Sequence, residues 1–528
     1  MLLERNIKIW ALLVGIIVLF TLINISTAST FGKLATASVY DDCVYLLDAY
    51  QRYIFESLKT PFDALLSFAS NPPHAPLQTA TALLGYAVFS GEEYGPYTAS
   101  VWILSVYVFF IYSIFSGHIS KYSSFFLTVT FMFVPAAGAI ITEFRPDMAA
   151  GLLFAIAAYR LIGFDYKKNN STNSLLVGFI CAIAIIMKPS AIVITVPMLG
   201  LAGIIGVFAS KNADRRKYIN SISLILLSFS IFFVPFLYLW GKQTYEYVVQ
   251  ALITNKDIWD VPGTWMSHMM FNSVGSGGSL ALGIFLLIGL VSIACDIGFF
   301  VATKVDQFTA ERPLAIHYYV WVSLIYFGIG MTANGSVYQG CFFYFPFVVA
   351  TVMSVSRNLT RLKEAASMRL AASTTIAAVL FLPAGNLFQD MSGRLNDHFV
   401  LNEVTKMIVD NVASIPLCGN TTPVYATMGP NPVAAETVAL SVARISRVKI
   451  TPSNLLFIRT SSEAIEGAIS SNFLFVPGAK LLAESRHLPG TAFGAVVAEA
   501  LQNDEKWDMY VLRSDADAKL FVRRNCEI

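Results

Sequence analysis

Two adjacent carboxylates, Asp41 and Asp42, stand in "VYDDCVYLLDAYQRY", and three further segments place chemically able groups close together. "NPPHAPLQTA" carries His74, "TEFRPDMAAG" carries Glu143, Arg145 and Asp147, and "IMKPSA" carries Lys188. A carboxylate can take the proton from an attacking hydroxyl as a general base. Arg and Lys can hold the oxygens of a phosphate group. Adjacent residues on a helix point about 100° apart, so Asp41 and Asp42 cannot both face one reacting atom. On a helical wheel Asp41 joins Tyr45, Asp48 and Arg52, whereas Asp42 neighbours Leu46 and Tyr53. A partly buried acid has a raised pKa and makes the better base, so the wheel leaves both open. Each group also has a plain alternative. Acids are favoured near a helix N-terminus, a Lys at a span end can snorkel, and a turn histidine can cap local backbone.

The elements that must position these groups are membrane helices. Of 528 residues, 55% are hydrophobic and 13% charged, about half the charge of a soluble protein. The formal net charge of +2 offers nothing to a nucleic acid. Apolar runs near the ~20 residues a spanning helix needs fall at about eleven places. They lie near 8–27, 99–117, 122–141, 147–163, 174–187, 190–209, 219–240, 279–302, 315–333, 341–356 and 368–385, and the 174–209 stretch reads as two helices or one broken one. Alternate connections carry Arg5 and Lys8, Lys121, Arg160 with Lys167 and Lys168, the basic run from Lys211 to Lys217, Lys304 with Arg312, and Arg357 to Arg369. Basic residues mark the cytoplasmic side. The N-terminus is then expected in the cytoplasm, and 28–98, 241–278 and the region after 385 outside. Glu143, Arg145, Asp147 and Lys188 fall at outer span ends, and His74 lies in the first outer loop. A secondary transporter would show internal repeats and place its ionisable groups near mid-membrane; no repeat is visible here. A surface-polysaccharide polymerase or ligase, the nearer alternative, would be expected to keep its key groups in a large late outer loop.

Two domains are expected: a membrane domain over 1–385 with outer loops 28–98 and 241–278, and a soluble tail over 386–528. In the tail, short β-like runs ("PVYATMGP", "NFLFVPG", "WDMYVLR", "KLFVRR") alternate with helical ones ("NPVAAETVALSVARI", "GTAFGAVVAEALQ"), as in a small α/β domain. Residues 37–58 read as an amphipathic helix suited to the membrane interface. Cys418 and Cys526 both lie in the tail, where an oxidising compartment would allow one disulfide. No CxxC motif or Cys/His cluster is present. In the second loop, Tyr245, Trp259, Trp265 and His268 suit either membrane anchoring or stacking on sugar rings.

With these residues in hand, the chain resembles the GT-C superfamily of polyprenyl-phosphate-sugar-dependent glycosyltransferases. It is similar in particular to the group of protein O-mannosyltransferases and lipid A aminoarabinose transferases. That group has an acidic pair in its first outer loop and then an "HPPL"-like turn. Here the pair is Asp41-Asp42, the turn is His74-Ala75-Pro76-Leu77, and "GEEYGPYTASVW" leads into the second span. The "RPD" turn at Arg145–Asp147 and the "KPS" turn at Lys188–Ser190 also fit, so the likeness covers roughly 8–240. Asp42 in place of Glu and Ala75 in place of Pro depart from the pattern.

The resemblance implies an α-helical polytopic membrane protein of GT-C type with a C-terminal α/β periplasmic domain, in a bacterial inner membrane. It implies an inverting glycosyltransferase that moves a sugar from a polyprenyl-phosphate donor to a hydroxyl of a glycan, lipid or protein. Asp41 is then the leading base, by its match to the first acid of the pair, with Asp42 second. Arg145, Lys188 and Tyr338 are expected to hold the donor. His74, Glu143 and Asp147 are expected to shape the site, with His74 shaping the loop or contacting donor or acceptor, and Asp147 orienting Arg145 or coordinating a metal if one is used. No cofactor is expected firmly, and a divalent metal is left open.

Overall fold

In lipid, every backbone N–H and C=O must be bonded within the spanning segment, so apolar runs of bilayer length have to become helices. The computed structural model bears this out. It describes residues 2–31, 33–35, 41–56, 60–166, 170–209, 215–259, 263–274, 280–302, 311–330, 340–381, 391–417, 421–429, 432–479, 481, 488–515 and 517–525, some at element ends by backbone alone. In chain order the helices of the first half are α1 (Leu2–Phe31), α2 (Asp41–Gln51), α3 (Pro61–Ser70), α4 (Pro76–Val88), α5 (Gly95–Ala99), α6 (Val101–Ser116), α7 (Lys121–Met132), α8 (Pro135–Thr142), α9 (Pro146–Ile162), α10 (Ser171–Met187), α11 (Ile192–Ala209) and α12 (Arg215–Val249). There follow α13 (Lys256–Trp259), α14 (Trp265–Val274), α15 (Leu280–Ala302), α16 (Glu311–Gly330), α17 (Cys341–Leu359), α18 (Glu364–Phe381), α19 (Met391–Asn411), α20 (Ala435–Ser446), α21 (Ser461–Ile469) and α22 (Gly494–Gln502).

The chain divides into two compact units. The first comprises residues 1–26, 74–78 and 97–387, and holds the membrane helices. Among the described residues, six helices are long and apolar enough to cross a membrane, and α7 with α8 makes a seventh, bent by 62°. The bend has a local cause. Pro135 disfavours the helical conformation at the residue before it, and Val134 is extended at φ −65°, ψ 135°. The same rule splits the 174–209 stretch into two helices. Lys188 precedes Pro189 and leaves the helical region at φ −137°, ψ 85°, and a 3₁₀ turn at Pro189–Ala191 joins α10 to α11.

Close helix packing in this unit rests on small residues. A Cβ at Gly178 of α10 would run into the Ile225 carbonyl oxygen of α12, and one at Gly151 of α9 would meet the Cys341 oxygen of α17 at 2.5 Å. Helix α12 runs well past the expected span end at 240. Its 35 residues rise about 52 Å against a hydrocarbon core of about 30 Å.

The second unit comprises residues 27–73, 79–96 and 388–528. Its five-stranded sheet has the order β2-β1-β3-β5-β4: β1 (Val424–Thr427), β2 (Thr451–Asn454), β3 (Phe473–Val476), β4 (Trp507–Val511) and β5 (Lys519–Arg523). β1 lies parallel to β2 and β3, while β5 is antiparallel to β3 and β4. Four strands and helices α20 and α22 fall on the runs marked in the sequence. β2 was not anticipated: "TPSN" has no apolar alternation, and its Pro452 is tolerated because β2 is an edge strand.

Helix α2 differs from the interfacial helix expected over 37–58. The α-helix covers Asp41–Gln51, and Arg52–Glu56 continue as a π turn. Protein covers most of it: Asp42, Cys43, Tyr45, Leu46, Leu47, Ala49 and Tyr50 are all buried, and α2 packs on α20. Thr437 Oγ1 donates to Cys43 Sγ at 3.3 Å, and Gln51 Nε2 donates to the Ile450 carbonyl at 3.2 Å. Arg52, assigned to a polar side, is 2% exposed. It bonds Asp48, Ser67 Oγ and the Asn71 carbonyl, so it ties α2 to α3.

Candidate functional site

Three turns of the first unit build the site. Arg145, like Lys188, stands immediately before a proline. It is extended at φ −123°, ψ 141°, and acts as N-cap of α9, with Pro146 opening the helix and Asp147 in the first turn. A proline at the first helical position loses no hydrogen bond and pre-sets φ. An acid in the first turn meets the positive end of the helix dipole. The sequence "RPD" therefore starts a helix and holds a cation and an anion at its mouth.

Lys188 reaches across from the α10–α11 break and donates from Nζ to Asp147 Oδ1. Asp147 is 3% exposed, and Glu143 and Arg145 are buried beside it in the chain. All four charges act electrostatically on the Cys341 thiol at the start of α17, which places them in one neighbourhood. Two acids and two cations balance there, so the cluster is formally neutral, and any anion approaching Lys188 would compete with Asp147. The sequence reading set Asp147 beside Arg145; the partner seen here is Lys188.

His74 sits at the same place. Burial, then the Lys188 charge, push its pKa from 6.5 down to about 4, with Asp147 opposing. Its imidazole is therefore neutral near pH 7. Its ring lies 4.1 Å from that of Tyr247, tilted by 42°.

Tyr247 is a residue that sequence reading missed, because it lies in the part of α12 taken for loop. Tyr245, which was singled out, is 70% exposed. Residues two apart on a helix face roughly opposite ways, so a helical wheel extended to 249 would have exchanged the two. Trp265, another candidate for sugar stacking, lies flat on Phe327 at 5.3 Å, with Nε1 donating to the Phe327 carbonyl at 3.4 Å.

In the second unit, Asp41 opens α2, and its side chain lies outside the described residues. Asp42 is fully buried. Tyr338, Cys418, Cys526 and the Trp259 side chain also lie outside the described residues. Among the described residues, no three His, Cys, Asp or Glu side chains gather as a metal would require.

Residues 73–238 match the family model of dolichyl-phosphate-mannose-protein mannosyltransferases. The match begins at the His74 turn and includes Glu143, Arg145, Asp147 and Lys188; the Asp41-Asp42 pair lies before it. A comparison with curated proteins finds no significant match. Among solved structures, the chain is similar to ArnT from Cupriavidus metallidurans in the apo state, with TM-score 0.61 and 11% identity over 99% of each chain. It is also similar to the same protein bound to undecaprenyl phosphate, with TM-score 0.53 and 11% identity over 97% of each chain. The chain thus shares the multi-pass membrane fold of ArnT, and over residues 73–238 it matches the family model of dolichyl-phosphate-mannose-protein mannosyltransferases.

Proposed function

We propose that the chain is an inverting glycosyltransferase that moves a sugar from a polyprenyl-phosphate donor to a hydroxyl of a cell-envelope glycan, lipid or protein. The observation that carries this reading is the Glu143–Arg145–Asp147–Lys188 cluster, with Glu143, Arg145 and Asp147 buried and Lys188 partly exposed, beside a neutral His74, within the stretch matching the mannosyltransferase model. A fold shared with a protein crystallised with undecaprenyl phosphate supports the donor class.

In this mechanism the acceptor oxygen attacks the anomeric carbon from the face opposite the phosphate. Its proton passes to a carboxylate, as to the base of an inverting glycosidase. The bond from the anomeric carbon to the phosphate oxygen breaks, and the electron pair leaves on polyprenyl phosphate. Arg145 and Lys188 hold that developing charge. Asp147 holds Lys188 until the donor arrives. His74 contributes shape and hydrogen bonds rather than charge. Asp41 and Asp42 are the base candidates. The site faces the outside of a bacterial inner membrane, with the N-terminus in the cytoplasm and the C-terminal domain in the periplasm, as the loop charges require.

The test is transfer from undecaprenyl-phosphate-linked sugars by Asp41→Asn and Asp42→Asn in membranes. The base variant should lose about 10²–10⁴ in rate with insertion unchanged. Full activity in both ends the base assignment.

A further inference from the structure

Two polar groups near the His74 turn lack partners in a way that the mechanism above does not use. Gln78 follows that turn, is 1% exposed, and its Oε1 has no donor among the described residues. Trp240 lies on α12, and its shielded Nε1 has no acceptor among them. A buried polar group left without a partner is costly, so such a group calls for an explanation. The two belong to segments that touch. Leu77, the residue before Gln78, packs against the same apolar cluster as Trp240, together with Ala182, Ile186 and Phe236.

Ring packing fixes the position of Trp240. Phe229, Phe233, Phe236 and Trp240 form a ladder of rings on one face of α12, with successive centroids 4.8, 5.9 and 5.7 Å apart. Phenylalanine would complete this ladder equally well, so the indole N–H is not needed for packing. Two turns further along the same face, Tyr247 meets His74. Ile186, in the same cluster, is two residues before Lys188.

The geometry points to a sugar-recognition subsite beside the charged cluster, in which Gln78 and Trp240 hydrogen-bond to hydroxyls of the sugar carried by the lipid donor. The chemistry favours sugar over phosphate. Gln78 Oε1 needs a hydrogen-bond donor, and an ionised phosphate diester has none to offer. A sugar hydroxyl both donates and accepts, so it satisfies the amide oxygen and the indole N–H alike. A site built to bond a hydroxyl discriminates strongly against ligands that lack it. This inference rests on the donor reading above and deepens it: Arg145 and Lys188 hold the phosphate, and Gln78 and Trp240 select the sugar.

The experiment measures binding by the full-length protein in nanodiscs to undecaprenyl phosphate alone and linked to mannose, glucose, galactose or aminoarabinose. The wild type should bind at least one sugar-bearing lipid more tightly than the bare lipid phosphate. Gln78→Leu and Trp240→Phe should each weaken that ligand about tenfold, the effect of one lost hydrogen bond. Both should hold the bare lipid phosphate within twofold, which also shows that the variants are folded. Unchanged affinity for the sugar-bearing lipid would mean that a bridging water satisfies the two groups, and would overturn the subsite. Equal losses on both ligands, or no preference for any sugar in the wild type, would overturn it as well while leaving the donor reading intact. Failure of the wild type to bind bare undecaprenyl phosphate would instead bring down the donor reading, and this subsite with it.

Discussion

Lys188 and Asp147 form an ion pair whose loss separates a structural role from the proposed donor-binding role. Asp147 is nearly buried, so removing one partner strands a charge in a poorly solvated place. Breaking such a pair costs about 3 kcal/mol. Lys188→Met should therefore lower the melting temperature in detergent by several degrees and also abolish lipid-phosphate binding, whereas a purely structural pair would affect only the first. His74 gives a pH dependence of known sign. Its folded-state pKa, about 4, lies below the ordinary 6.5. The unfolded chain therefore binds a proton between those values and the folded chain does not. Stability should fall as pH drops from about 6.5 towards 4, by an amount on the order of 2–3 kcal/mol. His74→Gln should flatten that part of a stability-against-pH curve; an unchanged slope would place the titrating group elsewhere.

The helices meet at glycines where backbones nearly touch. In a bilayer, close packing replaces the hydrophobic driving force between helices. A methyl group at Gly151 has nowhere to go, because the obstacle is the backbone carbonyl of Cys341 rather than a movable side chain. The contact joins α9, which carries Asp147, to α17. Gly151→Ala should thus reduce both thermal stability and transfer, while Gly203→Ala, which meets nothing within 4 Å, should leave both near wild type. Equal behaviour of the two variants would show that this contact does not set the site. The proline breaks at Val134, Arg145 and Lys188 are readable in the sequence, since X-Pro disfavours helix by local sterics. The extension of α12 to Val249 is not. "GKQTYEYVVQ" ends the apolar run, and only packing keeps the helix going, with Trp240 in the cluster with Leu77 and Tyr247 on His74.

Across the whole molecule, the alternation of basic connections predicts which segments face the cytoplasm. In a variant with its native cysteines replaced, Glu92→Cys should react with an impermeant maleimide from outside intact cells, and Lys363→Cys only after permeabilisation. The reverse pattern would invert the topology and remove the outer-face site. The second unit shows why topology alone is incomplete. It unites residues from 27–96 with the C-terminal region. Arg444 of α20 donates to the Tyr86 hydroxyl at 3.0 Å and pairs with Glu93, contacts more than 350 residues apart in sequence.

The sequence by itself determined the class of protein, most helix positions, and the residues able to do chemistry, because these depend on composition, local sterics and a period of apolar residues. It marked His74, Glu143, Arg145, Asp147 and Lys188 one by one. Only the tertiary structure decided that Lys188 pairs with Asp147, that Tyr247 rather than Tyr245 meets His74, and that Gln78 and Trp240 are left with polar atoms to satisfy. Those outcomes depend on which distant segments touch and on how burial redistributes charge, and no local pattern in the chain encodes either.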